Sequence, residues 1–110
     1  MSKKRHNRNV RAGAKSILRD NEIERHAELL KALANPARLR IVNILAQGER
    51  SVTEICLSAG LKQSLVSQQL KILRLNDVVQ CRREVPHTYY SLKELQVIRM
   101  LNCLSKCCSE

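Results

Sequence analysis

Residues 51–92 constrain the fold most strongly, because their hydrophobic period changes once along the chain, from helical to alternating. Ser51-Val52-Thr53-Glu54 is a capping box, which predicts the start of a short helix, and Gly60 is suited to end that helix. A second helix is predicted at Gln63–Leu75. Its apolar residues recur at helical spacing and are predicted to face inward, namely Leu65, Val66, Leu70 and Leu73.

The alternating part of this segment predicts a β-hairpin directly after the second helix. Asn76-Asp77 is a turn signal, and the runs at 78–84 and 87–92 are rich in Val, Thr and Tyr. Val85-Pro86 lies between the two runs and is predicted to form the tip. A short helix, a turn, a second helix and a hairpin are the parts of a winged helix-turn-helix.

Two further helices are predicted before this segment. The first begins near Asn21, which is suited to cap it, with Glu24 three residues later. Asn35-Pro36 then opens a second helix that ends at Gly48, because Asn is a good N-cap and Pro suits the first helical position. The apolar stripe of the first helix comprises Ile23, Ala27, Leu30 and Ala34, widened by Leu29 and Leu33.

A last helix is predicted at about 93–108, after the hairpin. Its apolar positions are Leu95, Val97, Ile98, Met100, Leu101 and Leu104. This face is too wide for the surface of a monomer, and it predicts burial against a second subunit. The predicted fold class is therefore mainly α with a small β-hairpin (α+β), in the form of a dimeric winged helix-turn-helix.

The chain of 110 residues has the length of one domain, predicted at 20–110, behind a basic and flexible arm at 1–19. No run of about 18 apolar residues is present, and no apolar stretch follows the basic amino terminus. Neither a membrane span nor a secretory signal is therefore predicted. Five cysteines without export features indicate free thiols in a reducing cytoplasm.

Positive charge is concentrated in two parts of the chain, whose formal net charge is +10. Residues 1–19 hold seven basic residues and no acidic one, and residues 20–60 are close to neutral. Residues 61–92 hold five basic and two acidic residues. Basic patches attract the phosphate backbone by Coulomb steering and counterion release, so this distribution favours a nucleic-acid partner.

The outward face of the helix at 63–75 carries residue types that contact DNA. Gln pairs with adenine through two hydrogen bonds, and Ser hydroxyls bond base edges or phosphate oxygens. The face is therefore predicted to lie in the major groove of double-stranded DNA, and it comprises Gln63, Ser64, Ser67, Gln68 and Lys71. The alternative is an ordinary solvated helix face.

Basic residues around this face are predicted to contact the DNA backbone. Lys71 and Arg74 are predicted to contact phosphates without specifying sequence. Arg82, Arg83 and His87 of the hairpin are predicted to reach the adjacent backbone or minor groove. For the two arginines the alternative is that they are solvated charges on an edge strand that only prevent aggregation.

The segments LLKALANPARLRIVNIL, SVTEIC, QSLVSQQLKILR and RREVPHTYYSL together resemble the ArsR/SmtB family of bacterial repressors. The resemblance covers roughly 24–110, with the segments in the order and spacing of the family. It implies a winged-helix homodimer whose first and last helices pair the subunits. It also implies repression of an operon, with release of DNA when a metal ion, metalloid or oxidant reaches the protein.

Two positions depart from the pattern of the family. The wing tip is usually Gly followed by basic residues, whereas here it is Val85-Pro86-His87, which implies a stiffer wing that is held less tightly to phosphate. Lys62 replaces a capping Ser before the helix at 63–75. This replacement removes a cap and adds a phosphate-directed charge.

The resemblance implies two places for a metal site, and both are altered in this chain. One class of the family uses a Cys-x-Cys pair in the third helix, where Cys56 matches the first position but Ser58 occupies the second. A lone Cys56 is more typical of a small buried side chain than of a ligand. The other class uses carboxylate and His ligands on the last helix, where Gln96 is a poor ligand.

Cys103, Cys107 and Cys108 remain as candidates for sensing a thiol-reactive effector. Cys103 and Cys107 are four residues apart and share a helical face, which suits a soft metal ion or As(III) on the thiolates. Redox or persulfide sensing is a further hypothesis. Some relatives pair a cysteine near the position of Cys108 with one in the second helix, but Asn43 stands at about that place. The alternative is that the terminal cysteines are unpaired and sense nothing.

The main hypothesis from the sequence is a homodimeric, sequence-specific repressor that binds an inverted-repeat operator. The alternatives are a basic architectural protein that binds nucleic acid without sequence preference, and a winged-helix regulator without an effector. The chain has no Gly-rich phosphate loop, paired-carboxylate motif or nucleophile elbow, so no enzyme activity is predicted.

Overall fold

The computed structural model describes residues 17–108, apart from the side chain of Cys108. Within that range the elements are α1 Asp20–Leu33, α2 Pro36–Leu45, β1 Arg50–Ser51, α3 Val52–Ala59, α4 Gln63–Leu75, β2 Val79–Glu84, β3 His87–Leu92 and α5 Gln96–Cys108. The predicted class, mainly α with a small hairpin, is confirmed. Residues 1–16, most of the predicted basic arm, lie outside the described residues. No helix of the described part is long and apolar enough to cross a membrane.

The predicted caps explain where α2 and α3 begin and where α3 ends. Asn35 Oδ1 accepts hydrogen bonds from two backbone N–H groups of the first turn of α2, and Pro36 occupies the first helical position. Ser51 N donates to Glu54 Oε1 at 2.8 Å, and Glu54 N donates to Ser51 Oγ at 3.2 Å. Gly60 ends α3 in the left-handed conformation, with φ at 66°. The side chains of Asn35, Ser51 and Glu54 thus satisfy backbone N–H groups at the helix starts that have no partner inside the helix.

The predicted cap of α1 at Asn21 was wrong. The helix is capped at Arg19, whose backbone N–H donates to Glu22 Oε1 at 3.0 Å, and Asn21 lies inside the first turn. Asp20 and Glu22 both lie in this turn, where the positive end of the helix dipole favours carboxylates. The acidic first turn therefore sets the start of α1, rather than the pattern of Asn21 with Glu24.

The last helix begins later than predicted, at Gln96 rather than Lys93. The backbone N–H groups of Lys93 and Glu94 both donate to Val78 O, at 2.8 and 3.2 Å. These long-range bonds hold the chain in a turn beside the start of the hairpin, so the helix starts only after them. Val78 N in turn donates to Leu73 O at 2.9 Å, and the first strand of the hairpin starts one residue later than predicted.

The β2–β3 hairpin, which is the wing, belongs to an antiparallel sheet with the strand order β1-β3-β2. Glu84 pairs with His87, so Val85-Pro86 forms the tip as predicted. Strand β1 was not predicted, because a strand of two residues is too short to leave a hydrophobic period. Ser51 of β1 pairs with Tyr89 of β3, and this pairing ties the start of α3 to the wing.

The core is aliphatic and is built around α4. Val66, Leu70 and Leu73 form the buried face of this helix and are at most 1% exposed. Leu65, which was predicted to face inward with them, is only half-buried. The buried face packs with aliphatic residues of α2, α3, the wing and α5, among them Ile41, Val42, Leu45, Ile55, Val78, Val79, Leu92 and Val97.

The two terminal helices keep apolar side chains uncovered. On α1, Ile23 and Leu30 of the predicted stripe are 49% and 53% exposed, whereas Ala32 and Leu33 enter the core. On α5, the first turn is anchored by a buried valine, but Leu104 in the following turns is 48% exposed. Apart from the flanking residues Leu29 and Leu33, the stripe of α1 therefore does not cover the core of its own chain.

Leu70→Ala is expected to lower the free energy of unfolding by about 2–5 kcal/mol, because it removes buried carbons and leaves a cavity. Leu75→Ala on the same helix is the matched control. Leu75 is 76% exposed, so its truncation is expected to change stability by less than about 0.5 kcal/mol. Urea titrations followed by circular dichroism at one protein concentration measure both variants. Equal losses would contradict the burial of this face of α4.

Candidate nucleic-acid interface

Helix α4 presents an uncharged polar face to solvent, opposite its buried face. Gln63, Ser64, Ser67 and Gln68 are all exposed. Lys71 continues this face, and together with Ser64, Ser67 and Gln68 it lines a shallow surface depression. The structure thus brings together four of the five residues predicted for the face, while Gln63 at the first turn lines a neighbouring cleft.

That neighbouring cleft separates the start of α4 from the tip of the wing. It is lined by Gln63, by Pro86, His87 and Thr88 of the wing, and by Ser51, Val52 and Thr53 at the start of α3. His87 therefore lies across this cleft from Gln63, the first residue of the predicted reading face. The positions of Thr53 and Thr88 at this cleft are not predictable from the sequence, because only the pairing of β1 with β3 brings the first turn of α3 beside the wing.

Basic side chains lie at both ends of α4. Lys62 occupies the N-cap position in an extended conformation, and its exposed side chain makes no capping hydrogen bond. Arg74 lies in the last turn, where its Nη1 donates to Cys81 Sγ at 3.3 Å. Because sulfur is a weak acceptor, this contact is readily exchanged for a stronger one. Cys81 thus contacts α4, and no chemistry was predicted for it.

Arg38 of α2 links α1 to α4. Its Nε donates to Ala32 O at 2.6 Å, and its Nη1 donates to Gln69 Oε1 at 3.0 Å. Gln69 is half-buried on the flank of α4, next to the exposed Gln68. The sequence analysis missed this link, because nothing in the helical pattern distinguishes Gln69 from its solvated neighbours. The link holds α4 in a defined orientation relative to α1.

Arg82 of the wing is held by other groups of the protein. Its Nε and Nη2 donate to the two carboxylate oxygens of Glu49, at 3.1 and 2.8 Å, and its Nη1 donates to Glu84 Oε1 at 2.6 Å. The guanidinium carbon lies 4.7 Å from the centre of the Tyr89 ring, which is a cation–π distance. Hydrogen bonding from Arg82 holds the pKa of Glu49 below its ordinary value, and the same bond raises the pKa of Arg82.

Arg83 has different surroundings, although it directly follows Arg82 on β2. Successive side chains of a strand point to opposite faces, so Arg83 lies on the other face of the wing. It is exposed, and among residues 17–108 it has no hydrogen-bond or ion-pair partner. The structure therefore separates two arginines that the sequence analysis treated alike.

The candidate sensor cysteines lie in two kinds of environment. Cys56 is half-buried and packs against the core, as predicted for a small buried side chain. Cys103 and Cys107 are exposed free thiols on α5, whereas the side chain of Cys108 lies outside the described part. Among the described residues, no group of three or more His, Cys, Asp and Glu side chains is arranged to hold a metal ion.

These elements define the class of the protein. Helix α3, the turn through Gly60 and α4 form a helix-turn-helix, and the β2–β3 hairpin flanks the exposed face of α4 as a wing. The helix that the wing flanks has one buried face, one uncharged polar face and a basic side chain near each end. The protein is therefore a winged helix-turn-helix DNA-binding protein.

Comparison with known proteins identifies the family. Residues 35–80 match the family described as bacterial regulatory protein, arsR family. The chain is 40% identical over 86 residues to the Biofilm growth-associated repressor of Xylella fastidiosa. These residues cover 78% of this chain and 73% of that relative. The chain belongs to the arsR family of bacterial regulatory proteins, and it is a DNA-binding transcriptional repressor of this family.

Solved structures of relatives have the same fold. The transcriptional repressor BigR from Xylella fastidiosa aligns with a TM-score of 0.77 at 35% identity, covering 81% of this chain and 91% of that chain. A homodimeric winged helix-turn-helix DNA-binding domain from Mycobacterium bovis aligns with a TM-score of 0.72 at 33% identity, covering 91% and 92%. The winged helix-turn-helix fold and the family resemblance, both predicted from the sequence, are confirmed.

Proposed function

We propose that the polar face of α4 reads base edges in the major groove of an operator. One observation carries this proposal: the polar face is exposed while the opposite face of the same helix is buried, so its side chains are presented from a fixed position. Gln63 and Gln68 are suited to pair with adenine, and Ser64 and Ser67 are suited to base edges or phosphate oxygens.

Phosphate contacts are proposed on both sides of this reading face. Lys62 lies at the start of α4, where backbone N–H groups and the helix dipole also favour a phosphate. Lys71 and Arg74 lie further along the helix, and Arg83 and His87 extend the basic surface along the wing. Such contacts set the register of the protein on DNA and carry no sequence information.

We also propose that the repressor is a homodimer paired through α1 and α5. Ile23 and Leu30 on α1 and Leu104 on α5 are about half exposed in the single chain, and a second copy would remove this apolar surface from water. The relative from Mycobacterium bovis is homodimeric. Two-fold symmetry predicts an inverted-repeat operator whose half-sites lie one helical turn, about 10–10.5 base pairs, or a multiple of this distance apart. The proposed place of action is the cytoplasm, where the bacterial chromosome lies.

Gln68→Ala is expected to lower operator affinity by about 5- to 150-fold and to reduce the preference for operator over a scrambled duplex, because a base contact is lost. Lys71→Gln is the matched control on the same face. It is expected to weaken binding to both duplexes alike and to reduce the slope of log affinity against log salt by about 0.9. Fluorescence anisotropy titrations at several salt concentrations measure these quantities.

Two results of this experiment would contradict the proposal. An unchanged sequence preference in the Gln68→Ala variant would remove that residue from the reading face. Equal affinities of the unaltered protein for the operator and the scrambled duplex would indicate an architectural protein that binds through charge alone.

Leu30→Glu is expected to convert the dimer to a monomer, because the pairing of α1 would bury an unpaired carboxylate. Leu57→Glu on α3 is the control, since Leu57 is 79% exposed and lies outside the proposed interface. This control adds the same charge and is expected to leave the dimer intact. Sedimentation velocity separates the two states. A dimer that persists in the Leu30→Glu variant would show that α1 does not pair the subunits.

We further propose that cysteines of α5 sense a thiol-reactive effector, which is a soft metal ion, As(III), or an oxidising or sulfur species. Cys103 and Cys107 support this role, because both are exposed and their spacing places them on one face of α5. Cys108 is the last residue of the same helix. Cys56 is the weaker candidate, since it packs against the core. An effector that binds the DNA-incompetent form of the dimer more tightly shifts the population to that form.

Replacement of Cys103, Cys107 and Cys108 together by Ser is expected to abolish release of the operator by arsenite, Cd(II) or polysulfide, because the reactive thiols are gone. Operator affinity without effector is expected to stay the same. Cys81→Ser is the control, which removes an exposed thiol of the wing and is expected to release normally. Anisotropy of a labelled operator measures release. Normal release from the triple variant would exclude these residues as the sensor.

A further inference from the structure

Arg82 connects the wing to the chain before β1 through an ion-pair network. Glu49 directly precedes β1, and its carboxylate accepts both Nε–H and Nη2–H of the guanidinium. This two-point contact fixes orientation as well as distance. Glu84, the last residue of β2, accepts a third hydrogen bond from the same guanidinium. The network therefore reaches from the edge strand of the sheet to the end of the wing.

The guanidinium also lies where three parts of the fold meet. Arg82 pairs with Tyr89 across the wing, and it lies over the ring of that tyrosine. Tyr89 pairs in turn with Ser51 of β1, which caps α3. Arg82 thus contacts the strand through which the wing is attached to the helix-turn-helix.

A move of Arg82 to a DNA phosphate would uncover two carboxylates. Three charge-assisted hydrogen bonds to Glu49 and Glu84 would be broken. The two carboxylates would then lie unpaired beside the phosphate backbone, which repels them. Arg83 requires no such exchange, because it is exposed and has no ion-pair partner within residues 17–108.

We propose that Arg82 is a positioning residue, which fixes the wing against the helix-turn-helix, and that Arg83 supplies the phosphate contact of the wing. This assignment rests on the proposed DNA-binding role of the wing. It gives the two neighbouring arginines different parts of that role. The lowered pKa of Glu49 beside Arg82 agrees with an ion pair that is fully formed at neutral pH.

Variants that keep the charge separate the two roles. Arg82→Lys cannot reproduce the forked contact with Glu49. Operator affinity is therefore expected to fall on the order of 10-fold, while the slope of log affinity against log salt stays the same. Arg83→Lys keeps a phosphate-directed charge and is expected to stay within about 3-fold of the unaltered protein. Arg83→Gln is expected to lower the salt slope by about 0.9. The proposal would be overturned if Arg83→Lys lowered operator affinity while Arg82→Lys left it nearly unchanged.

A double-mutant cycle with Glu49→Gln shows whether Arg82 leaves Glu49 in the complex. If Arg82 positions the wing, Glu49→Gln weakens operator binding when Arg82 is present, relative to its effect in the Arg82→Gln background. If Arg82 moves to phosphate, the same change tightens binding only when Arg82 is present, because a competing carboxylate is gone. That tightening, or equal effects in the two backgrounds, would overturn the proposal.

The unaltered protein keeps this test separate from the test of the proposed function. If it does not prefer the operator over a scrambled duplex, the proposed DNA-reading function fails. If that preference holds and the cycle gives the overturning result, only the division of roles between Arg82 and Arg83 fails.

Discussion

Burial of one face of α4 is the constraint on which the rest of the structure depends. Val66, Leu70 and Leu73 pack with side chains from α2, α3, the wing and α5, so a single helix joins most of the core. Because that face is fixed, the Gln and Ser residues on the other side must face solvent. The link from Arg38 to Gln69 adds a polar restraint to the same helix. The proposed DNA reading therefore relies on a helix whose position is set by packing rather than by its ends, one of which lacks a side-chain cap.

The charges around this helix differ in their surroundings even where the residue types are the same. Arg82 neutralises Glu49 and Glu84 and connects the wing to the edge strand, whereas Arg83 on the opposite face is open to solvent. The wing, whose tip is Val85-Pro86, is thus held by an internal ion-pair network. Lys62 and Lys71 lie on α4 or directly before it, so exposed positive charge lies beside the proposed reading face.

In the proposed dimer, the apolar surface of α1 and α5 connects DNA binding to regulation. Both helices leave leucines about half exposed in the single chain, and α5 also carries the exposed thiols of Cys103 and Cys107. An effector bound on α5 would therefore act at the proposed subunit interface, which sets the separation of the two reading helices. Arg38 of α2 bonds the backbone of α1 at Ala32 and the side chain of Gln69, so the helix that carries part of the proposed interface is connected to the proposed reading helix.

The sequence by itself determined the features that depend on residues close together in the chain. Capping boxes, the helical period of α4 and the alternating strands act within a few residues, and so Asn35, Ser51, Gly60 and the reading face were predicted from the sequence. Tertiary structure decided the features that depend on distant partners. Val78 O holds Lys93 and Glu94 in a turn before α5, β1 exists only because it pairs with β3, and Glu49 binds Arg82 but not the neighbouring Arg83. Each of these contacts joins residues more than ten positions apart, which no local period records.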